Sequence, residues 1–579
     1  MAQTSSEDTA ADAVASLGPE AGLFAGADDA LFGRALGTLG LNLARHPATV
    51  AAAGLGFAGA VLGGFAASGR RLVGLTADGP FGSPKDKRFV DPAWESNPAY
   101  YGLRQGFLAF ERLLSDLVES STVDETTRRK ARFVLGLLTD AAAPTNFVAT
   151  NPAVLKRAFE TGGASLVRGG RTFVDDLVHN RGRPRQVDTT PFELGRNLAA
   201  TPGKVVFRNH LMELIQYDAQ TDKVHEVPIL VSPPWINKYY IMDLAPERSL
   251  LEWAVQHGHT VFAISYRNPD ASMRDTQLDD YLVHGPQVAL DVVQNITKAP
   301  KVDLMALCLG GALAAMLAAY EAVDGEDRIG AITLLNTMLD YSEPGELGAF
   351  TDEKAIVKLE QKMQRDGYLD GKQMAGTFDM LRANDLIFNY VVNNWLMGDQ
   401  PPAFDILAWN ADSTRMPAAM HAFYLRSCYQ RNELAEGDLE LMGRRLSLGD
   451  VKSDVFYVGA EADHIVPWRS AFRGARQLPG DVTFVLTSSG HIAGVVNPPN
   501  PKSRHWTGSA DEQDADRWRE EATQHDKSWW ESWAPWAAQR GGKMRKPPRT
   551  GSRKYKVLGD APGAYVRGEV PPEIARNTA

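Results

Sequence analysis

The sequence predicts an α/β fold built on a largely parallel sheet, and three observations support this prediction. Strand-like apolar segments alternate with helical segments through the centre of the chain, as in a parallel sheet covered by helices on both faces. One such strand, residues 302–307, ends at Cys308-Leu-Gly-Gly and leads directly into an apolar helix. Two later strands are each followed by a loop with a polar residue typical of catalytic sites, Asp463 in one and His491 in the other.

The turn at Cys308 indicates an α/β-hydrolase. A strand, a nucleophile beside small residues and a helix form the nucleophile elbow of that fold, usually as Gly-x-nucleophile-x-Gly. The elbow places the side chain at a helix N-terminus, where the helix dipole favours a thiolate. Here Ala306 stands where the first Gly is usual, and it adds a Cβ to a crowded turn. The alternative is that Cys308 is a buried residue that only packs after a core strand.

The acid and the base follow in the order that the fold requires. A triad on this fold runs nucleophile, acid, histidine along the chain, and Cys308, Asp463 and His491 have that order. We therefore predict these three residues to be catalytic, while the sequence leaves open whether Asp463 only orients His491 or acts more directly. His464 either supports the site or forms only local hydrogen bonds.

An oxyanion formed at this site needs two hydrogen-bond donors. The backbone N–H of Leu309, next to the nucleophile, is the first predicted donor. The second is expected in the loop after the strand at 227–232, where prolines 233 and 234 cannot donate. We choose the N–H of Ile236, with Asn237 as a possible supporting residue.

Composition narrows the class of protein and its compartment. The apolar content of 44% and the charged content of 23% fit a globular protein with a sizeable core. A net charge of −10 argues against nucleic acid as the main partner. The chain has two cysteines, too few for a disulfide framework, and a nucleophilic thiol needs a reducing compartment, so we expect a cytoplasmic protein. Cys428 is predicted to be a packing residue, and neither a metal nor a cofactor is predicted.

The chain divides into three predicted regions. Residues 1–30 contain six acidic residues and no Lys or Arg, so they lack the basic start of a secretory signal and are predicted to be disordered. Residues 31–200 form a helical N-terminal domain, and residues 201–579 form the hydrolase domain. Residues 342–447 lack the strand–helix alternation and are predicted to be an inserted cap. Its many aromatic residues would suit an apolar substrate or simply form the core of the cap.

Ala48–Gly69 is an uncharged segment rich in Ala and Gly. Its length suits a membrane span, and Gly59-xxx-Gly63 is a pattern of paired membrane helices. Because it has few Leu, Ile or Phe residues, we predict no transmembrane insertion. We favour an ordinary hairpin helix of the N-terminal domain, with a helix lying on an apolar surface as the alternative.

Eight strands and several helices are predicted. The strands are Val205–Asn209, Met212–Tyr217, Val227–Ser232, Thr260–Tyr266, Val302–Leu307, Ala331–Asn336, Asp454–Val458 and Val482–Thr487. Helical patterns lie at Ala109–Val118, Leu251–Gln256 and Gly285–Gln294, and further helices are predicted to start at Thr122-Val-Asp-Glu and at Asn151-Pro152.

The C-terminal region contains a cluster of tryptophans followed by a basic stretch. Four Trp residues lie within Trp529–Trp536, and Arg540–Lys556 carries eight Lys or Arg residues and no acid. We favour a packing segment beside a solvated tail. The alternative is that the basic stretch holds phosphate groups, such as the three of coenzyme A.

Several long motifs resemble the polyhydroxyalkanoate synthases, and the resemblance runs from about Phe107 to near Trp536. The length and the large N-terminal region resemble the class I enzymes, which act without a second synthase subunit. Two departures besides Ala306 are Trp235, in a slot that is often smaller, and Tyr266, where Trp is more usual. The motifs are Cys308, 463–468, 490–499, 233–244, 265–270 and 389–395.

The resemblance implies polymerisation of a 3-hydroxyacyl-CoA, with 3-hydroxybutyryl-CoA as the default, into a polyester with release of CoA through an acyl-Cys308 intermediate. It also implies a homodimer on the surface of a storage granule, with CoA as part of the substrate rather than a cofactor. One alternative is a thioesterase or an intracellular depolymerase that uses the same triad with water. Another is a non-enzymatic granule protein on an inactive hydrolase fold, although an intact triad argues against it.

Overall fold

The computed structural model describes residues 29–75, 77–82 and 86–575. The predicted disordered segment therefore lies almost wholly outside the described residues. The chain forms two compact units. The N-terminal unit comprises the chain up to Asp188 together with Gln373–Ala403, and the hydrolase unit comprises Thr189–Lys372 and the chain from Phe404 onward.

The helices of the described residues are numbered along the chain. They are α1 Asp29–Arg45, α2 Pro47–Leu72, α3 Ala93–Ser96, α4 Pro98–Glu119, α5 Glu125–Ala141, α6 Pro152–Glu160, α7 Ala164–His179, α8 Leu250–Gln256, α9 Leu278–Leu282, α10 Val288–Thr297, α11 Leu309–Val323, α12 Glu353–Asp366, α13 Gly371–Leu381, α14 Asp405–Ala411, α15 Ala418–Tyr424, α16 Glu433–Glu436, α17 Trp468–Ala475, α18 Ala515–Glu521, α19 Trp530–Arg540 and α20 Pro572–Ala575. Wider π-helical turns occupy Val283–Gln287, Asn384–Phe388, Val391–Leu396 and Leu425–Gln430.

The strands are numbered in the same way. They are β1 Gly203–Arg208, β2 Met212–Tyr217, β3 Val224–His225, β4 Ile229–Ser232, β5 Val261–Tyr266, β6 Val302–Leu307, β7 Ile329–Leu335, β8 Tyr368–Leu369, β9 Met416–Pro417, β10 Glu440–Leu441, β11 Arg444–Arg445, β12 Val455–Ala460, β13 Val482–Thr487, β14 His505–Ser509, β15 Thr523–His525, β16 Met544–Arg545 and β17 Gly559–Asp560.

One large mixed sheet forms the centre of the hydrolase unit, and it confirms the predicted α/β-hydrolase fold. Among the described residues it has 11 strands in the order β15-β14-β13-β12-β7-β6-β4-β5-β2-β1-β17. The six strands from β13 to β5 are parallel, and antiparallel strands extend both edges. Because parallel strands share one direction, the loops after β4, β6, β12 and β13 meet at one edge of the sheet.

Each of the eight predicted strands corresponds to an observed strand. The observed bounds of β2, β6 and β13 match the predicted ones. The observed bounds of the other strands differ from the predicted ones by a few residues at one or both ends. The buried central strands are almost continuously apolar, as expected of a sheet covered on both faces. Helix α11 follows β6 directly and is buried from Leu309 to Glu321, which places the elbow at the centre of the unit.

Three helices of the N-terminal unit, α4, α5 and α6, begin at side-chain caps. Asn97 caps α4. Asn151 caps α6 with Pro152 in the first helical position, which confirms the start predicted there. The helix expected from Thr122 begins slightly later, because the carboxylate of Asp124 accepts the N–H of Thr127. After α7 ends at His179, residues 180–200 form no helix, although helix was expected to continue to about residue 200.

Helix α2 contains the whole uncharged segment and packs against α4. A Cβ at Gly64 would lie 2.8 Å from the Cβ of Gln105, so glycine allows a close contact there. The other face is open to solvent, with Leu55, Leu62 and Phe65 exposed by 75%, 70% and 67%. Among the described residues, α2 is the one helix whose length and composition would allow it to cross a membrane.

Residues 373–403 fall within the predicted cap but pack with the N-terminal helices. Gly169 of α7 contacts the backbone of Trp395, and the indole N–H of Trp395 donates to Asp176 at 2.9 Å. In the structure, therefore, the parts of the insertion that belong to the hydrolase unit are residues 342–372 and 404–447.

Candidate active site

Cys308 lies in a strained turn between β6 and α11. Its backbone has φ 52° and ψ −118°, a conformation that a residue with a side chain rarely adopts. The N–H of Cys308 donates to the carbonyl oxygen of Leu335 at 2.8 Å, and its own carbonyl accepts the N–H of Gly311 at 2.9 Å. These bonds hold the turn and lift the thiol above the carboxyl edge of the sheet.

The two glycines after Cys308 are required by close packing. A Cβ at Gly310 would collide with the carbonyl oxygens of Ser232 and Pro233, and a Cβ at Gly311 would collide with the side chain of Thr337. The start of α11 therefore lies against the end of β4. This contact explains why the sequence after the nucleophile is x-Gly-Gly.

Asp463 follows β12 and holds the histidine. Its Oδ1 accepts the N–H groups of Ile465 at 2.8 Å and Val466 at 2.9 Å. Its Oδ2 accepts Nδ1–H of His491 at 2.6 Å, and the carboxylate is wholly buried. The two backbone bonds fix the orientation of the carboxylate, so that one oxygen is committed to the imidazole.

His491 lies between Asp463 and Cys308. Because Nδ1 is bonded to Asp463, the nitrogen left for the hydrogen bond with the Cys308 thiol is Nε2. Burial opposes a charged ring, but the charges of Asp463 and Cys308 and the hydrogen bonds to both outweigh it and raise the pKa of His491 to about 10. The arrangement thus favours the charged form of the His491 ring beside the Cys308 side chain.

The predicted oxyanion donors lie near the same edge. Leu309 is the first residue of α11, and the N–H groups of a first helical turn have no partner within the helix. Ser232, the last residue of β4, pairs with Ala306 of β6, so the loop carrying Ile236 begins beside the elbow. Ile236 itself is half-buried. This geometry is compatible with an oxyanion site formed by the two loops.

Comparison with known proteins gives the family. Residues 85–254 match the family described as "Poly-beta-hydroxybutyrate polymerase (PhaC) N-terminus", and residues 235–498 match "alpha/beta hydrolase fold". A "Poly(3-hydroxyalkanoate) polymerase" of Methylorubrum extorquens is 45% identical over 84% of this chain and 81% of its own length. This chain belongs to the poly(3-hydroxyalkanoate) polymerases. It is therefore an acyltransferase-type enzyme, and the predicted family is confirmed.

Two further polymerases match with similar coverage. The "Poly(3-hydroxyalkanoate) polymerase subunit PhaC" of Rhizobium meliloti is 42% identical over 86% of this chain and 82% of its own length. The protein of the same name from Cupriavidus necator is 41% identical over 84% and 83%. The similarity thus spans both compact units of this polymerase.

The insertion of this polymerase holds the loop that carries Ile236. Asn237 forms an isolated backbone bridge with Ser413. Close by, the indole N–H of Trp409 donates to the carbonyl oxygen of Lys238 at 2.8 Å, and Thr414 Oγ1 donates to the carbonyl oxygen of Trp235 at 3.2 Å. Asn237 therefore links the loop to the insertion, a contact that spacing along the sequence could not reveal.

Three tyrosines form an aromatic wall near the thiol. Tyr341 lies after β7, and Tyr424 and Tyr429 belong to the insertion. Their ring centroids are 5.0 to 6.0 Å apart. Burial and, to a lesser extent, the nearby Cys308 raise the pKa of Tyr429 above its ordinary value. Trp235 extends this wall, since its ring packs 6.0 Å from that of Tyr424.

The sequence analysis also singled out His464 and Cys428. His464 is half-buried in the loop after Asp463. Cys428 is wholly buried, and burial raises the pKa of its thiol above the ordinary value, which suits a packing residue. Among the described residues, no cluster of three or more His, Cys, Asp or Glu side chains is arranged to hold a metal ion.

The basic stretch begins at the opposite edge of the sheet. Arg540 pairs with Asp454 and Asp481, which precede β12 and β13, whereas Asp463 and His491 follow those strands. Residues 544–545 then pair with β3. This position argues against a role for the start of the stretch in holding the phosphates of a thioester bound at Cys308.

The tryptophan cluster, by contrast, contacts the histidine loop, which we define as residues 490–496. The indole N–H of Trp529 donates to the carbonyl oxygen of Gly494 at 2.6 Å, and that of Trp530 donates to the carbonyl oxygen of Val495 at 3.0 Å. Both rings are fully buried. Sequence reasoning assigned these residues to packing and missed their contact with the loop that carries His491.

Proposed function

We propose that this polymerase uses 3-hydroxyacyl-CoA thioesters, with 3-hydroxybutyryl-CoA as the default substrate, and releases CoA through an acyl-Cys308 intermediate. The observation that carries the proposal is the hydrogen-bonded row of Cys308, His491 and Asp463 at the carboxyl edge of the sheet. Family membership supplies the polymerisation, and the row supplies a mechanism for it.

Acylation begins from the charged pair. The thiolate of Cys308 attacks the thioester carbonyl carbon, and the resulting oxyanion is held by the N–H groups of Leu309 and Ile236. The bond between that carbon and the CoA sulfur then breaks, and the imidazolium of His491 gives its proton to the leaving sulfur. One thioester replaces another, so the acyl group stays activated on the enzyme.

In elongation, His491 acts as a base, whereas in acylation it acts as an acid. Acylation removes the negative charge of Cys308, one of the interactions that raise the pKa of His491, so the ring is more easily neutral in the acyl-enzyme. The neutral ring takes the proton of an acceptor 3-hydroxyl group while its oxygen attacks the acyl-Cys308 carbonyl. An ester bond forms, the carbon–sulfur bond breaks, and the thiolate–imidazolium pair returns.

Water has to be kept from the acyl-enzyme, because it would compete with the hydroxyl group. His491 is 6% exposed and the carboxylate of Asp463 is wholly buried. The aromatic wall of Tyr341, Tyr424 and Tyr429 adds apolar cover near the thiol. This enclosure favours transfer to a hydroxyl group over hydrolysis.

The product is an apolar polyester that leaves solution, and the open face of α2 offers a surface to hold it. Leu55, Leu62 and Phe65 are exposed there and lie between Arg45 and Arg70 in the sequence. Placing such side chains against an apolar surface stabilises the contact by about 2 kcal/mol for each. We propose that α2 holds the enzyme on a cytoplasmic granule, and that the enzyme acts as a homodimer.

The test uses the purified full-length chain with 3-hydroxybutyryl-CoA. Released CoA and the acyl product are measured together, with Cys308→Ala and Cys428→Ser as variants. We expect polymer from the wild type, near-normal activity from Cys428→Ser, and no release above background from Cys308→Ala, because loss of a nucleophile costs many orders of magnitude. Free 3-hydroxybutyrate without polymer would instead identify a hydrolase, and turnover by Cys308→Ala within about tenfold of wild type would remove the proposed nucleophile.

A further inference from the structure

Two adjacent residues connect the nucleophile elbow with the histidine loop. Leu335 ends β7, and its carbonyl oxygen accepts the N–H of Cys308 at 2.8 Å. The next residue, Asn336, donates from its side-chain Nδ2 to the carbonyl oxygen of His491. The backbones of Cys308 and His491 are therefore fixed to neighbouring positions of one chain segment.

Asn336 is itself held rigidly. Its φ of 42° lies in the left-handed region, which favours glycine and tolerates asparagine. The N–H of Asn336 donates to the carbonyl oxygen of Val458 in β12 at 2.7 Å, and the residue is fully buried. The following carbonyl, that of Thr337, accepts the hydroxyl of Tyr457 at 2.9 Å. A donor anchored on both sides can fix the position of the group that it binds.

His491 is thereby held at two points. Asp463 orients the imidazole through Nδ1, and Asn336 holds the main chain of the same residue. The His491 ring has to contact Cys308 and keep its hydrogen bond to Asp463 at the same time. A small movement of the main chain of His491 would therefore lengthen one of these two hydrogen bonds. Misplacement of a reacting group by about 1 Å can cost a hundredfold in rate.

We propose that Asn336 is a positioning residue for the reaction, which sets the separation of the Cys308 thiol and the His491 imidazole by fixing the histidine loop to the strand that also fixes the elbow. The proposal rests on the proposed triad. A glycine would fit the left-handed backbone with less strain, so the amide is the feature of Asn336 that the backbone conformation does not explain.

The test measures how fast iodoacetamide alkylates Cys308 across a range of pH, because the thiolate is the reactive form. Asn336→Gly keeps the backbone conformation and removes the amide, and Asn336→Asp keeps the shape but turns an oxygen toward the His491 carbonyl. Loss of one buried hydrogen bond corresponds to about a tenfold effect. We expect alkylation of Asn336→Gly at neutral pH to be slower by about that factor, with the midpoint of the profile at higher pH, and a larger effect for Asn336→Asp. In CoA release, kcat should fall and KM should change little.

A matched control separates positioning from stability. Asn209 makes the same kind of bond, from Nδ2 to the carbonyl oxygen of His284 at 2.7 Å, but it does not contact the triad. Asn209→Ala should lower the unfolding temperature and leave the alkylation profile unchanged. A folded Asn336→Gly or Asn336→Asp variant with the wild-type profile would overturn the proposal.

The Asp463→Asn variant distinguishes failure of the positioning role of Asn336 from failure of the proposed triad. If this variant shifts the profile and the Asn336 variants do not, only the positioning role is wrong. If Asp463→Asn also leaves the profile unchanged, the triad itself is not the source of thiolate reactivity, and the proposed mechanism falls with it.

Discussion

The charges of Cys308 and His491 depend on each other, and this dependence can be measured on single residues. Because Cys308 contributes to the raised pKa of His491, Cys308→Ser should bring that pKa below the value of about 10. Histidine labelled with ¹³C at Cε1 allows the titration to be followed by NMR, with His491→Gln to assign the signal. An unchanged titration in Cys308→Ser would show that the thiol does not carry negative charge beside the ring.

The same shift links stability to pH. The pKa of His491 is raised above its ordinary 6.5 in the folded chain, so the ring favours folding most below about pH 6.5. This contribution is lost as the pH rises through about 10. We expect the difference in unfolding free energy between wild type and His491→Gln, measured by urea denaturation, to shrink over that range. A constant difference would contradict the ion pair.

The contacts of Asp463 predict an effect of Asp463→Asn on both chemical steps. Its Oδ1 accepts two backbone N–H groups, so an Asn oxygen has to take that place and its NH₂ has to face His491. The ring would then accept at Nδ1 and carry its proton on Nε2, where it could not take a proton from Cys308. We expect acylation and elongation to fall together, by roughly 10⁴, as when a triad histidine is held in the wrong tautomer. A labelled acyl-enzyme that accumulated on Cys308 would show that acylation survives.

The order and spacing of the triad residues could be predicted from the sequence. Their contacts with residues that are distant in the sequence could not. Cys308, Asp463 and His491 follow strands, and strand ends can be recognised from apolar runs and turn residues. Asn336 is separated from His491 by 155 positions. The two meet because β12 pairs on one side with β7, which precedes Asn336, and on the other with β13, which precedes His491. No local pattern carries that information.

Among the elements, the buried strands were the most predictable. Strand β6 and strand β13 have continuous apolar runs, and their predicted bounds match the structure. Strand β14, next to the edge strand β15, was missed, because His505–Ser509 is largely polar and its strand character comes from pairing with its neighbours β13 and β15. The helix expected at Gly285–Gln294 begins with a π-helical turn, where Gly285 and Pro286 interrupt regular helix.

The segment at 529–540 should affect catalysis through the histidine loop. Trp529→Phe and Trp530→Phe each keep a buried aromatic ring and remove one indole N–H bond to the loop. A carbonyl left without its donor costs about 1–3 kcal/mol. We expect lower thermal stability and a several-fold fall in CoA release, which single-turnover measurements should assign to the chemical steps. Trp533→Phe is the control, since its N–H donates to Thr333 of β7 instead. Equal activity losses in all three variants would indicate general destabilisation.

For the whole molecule, the sequence predicted the two kinds of domain but not the boundary between the units. Residues 373–403 were predicted to belong to the cap, because they interrupt the strand–helix alternation. Their packing partner is α7, where Gly169 admits the backbone of Trp395. A helical pattern shows that a segment buries one face, but it does not show which distant helix covers that face.

Packing within the N-terminal unit limits how granule attachment can be tested. Deleting residues 1–97 leaves the triad but also removes Phe89 and Trp94 from a buried cluster with Phe107 of α4. Loss of such side chains costs several kcal/mol each, so a truncated chain could fail for lack of stability. Substitutions on the open face of α2 avoid this problem, because the side chains there make little contact with the folded chain.

The open face of α2 is expected to hold the enzyme on the granule. Leu55→Gln, Leu62→Gln and Phe65→Gln together should leave the unfolding temperature nearly unchanged, because all three side chains are mostly exposed. The triple variant should associate less with granules when polymer-making cells are fractionated, and its CoA release should show a longer lag. Phe159→Gln is the control, since Phe159 is 88% exposed but belongs to α6 rather than to α2. Equal granule binding and equal lag in all variants would show that α2 is only a packing helix of the N-terminal unit.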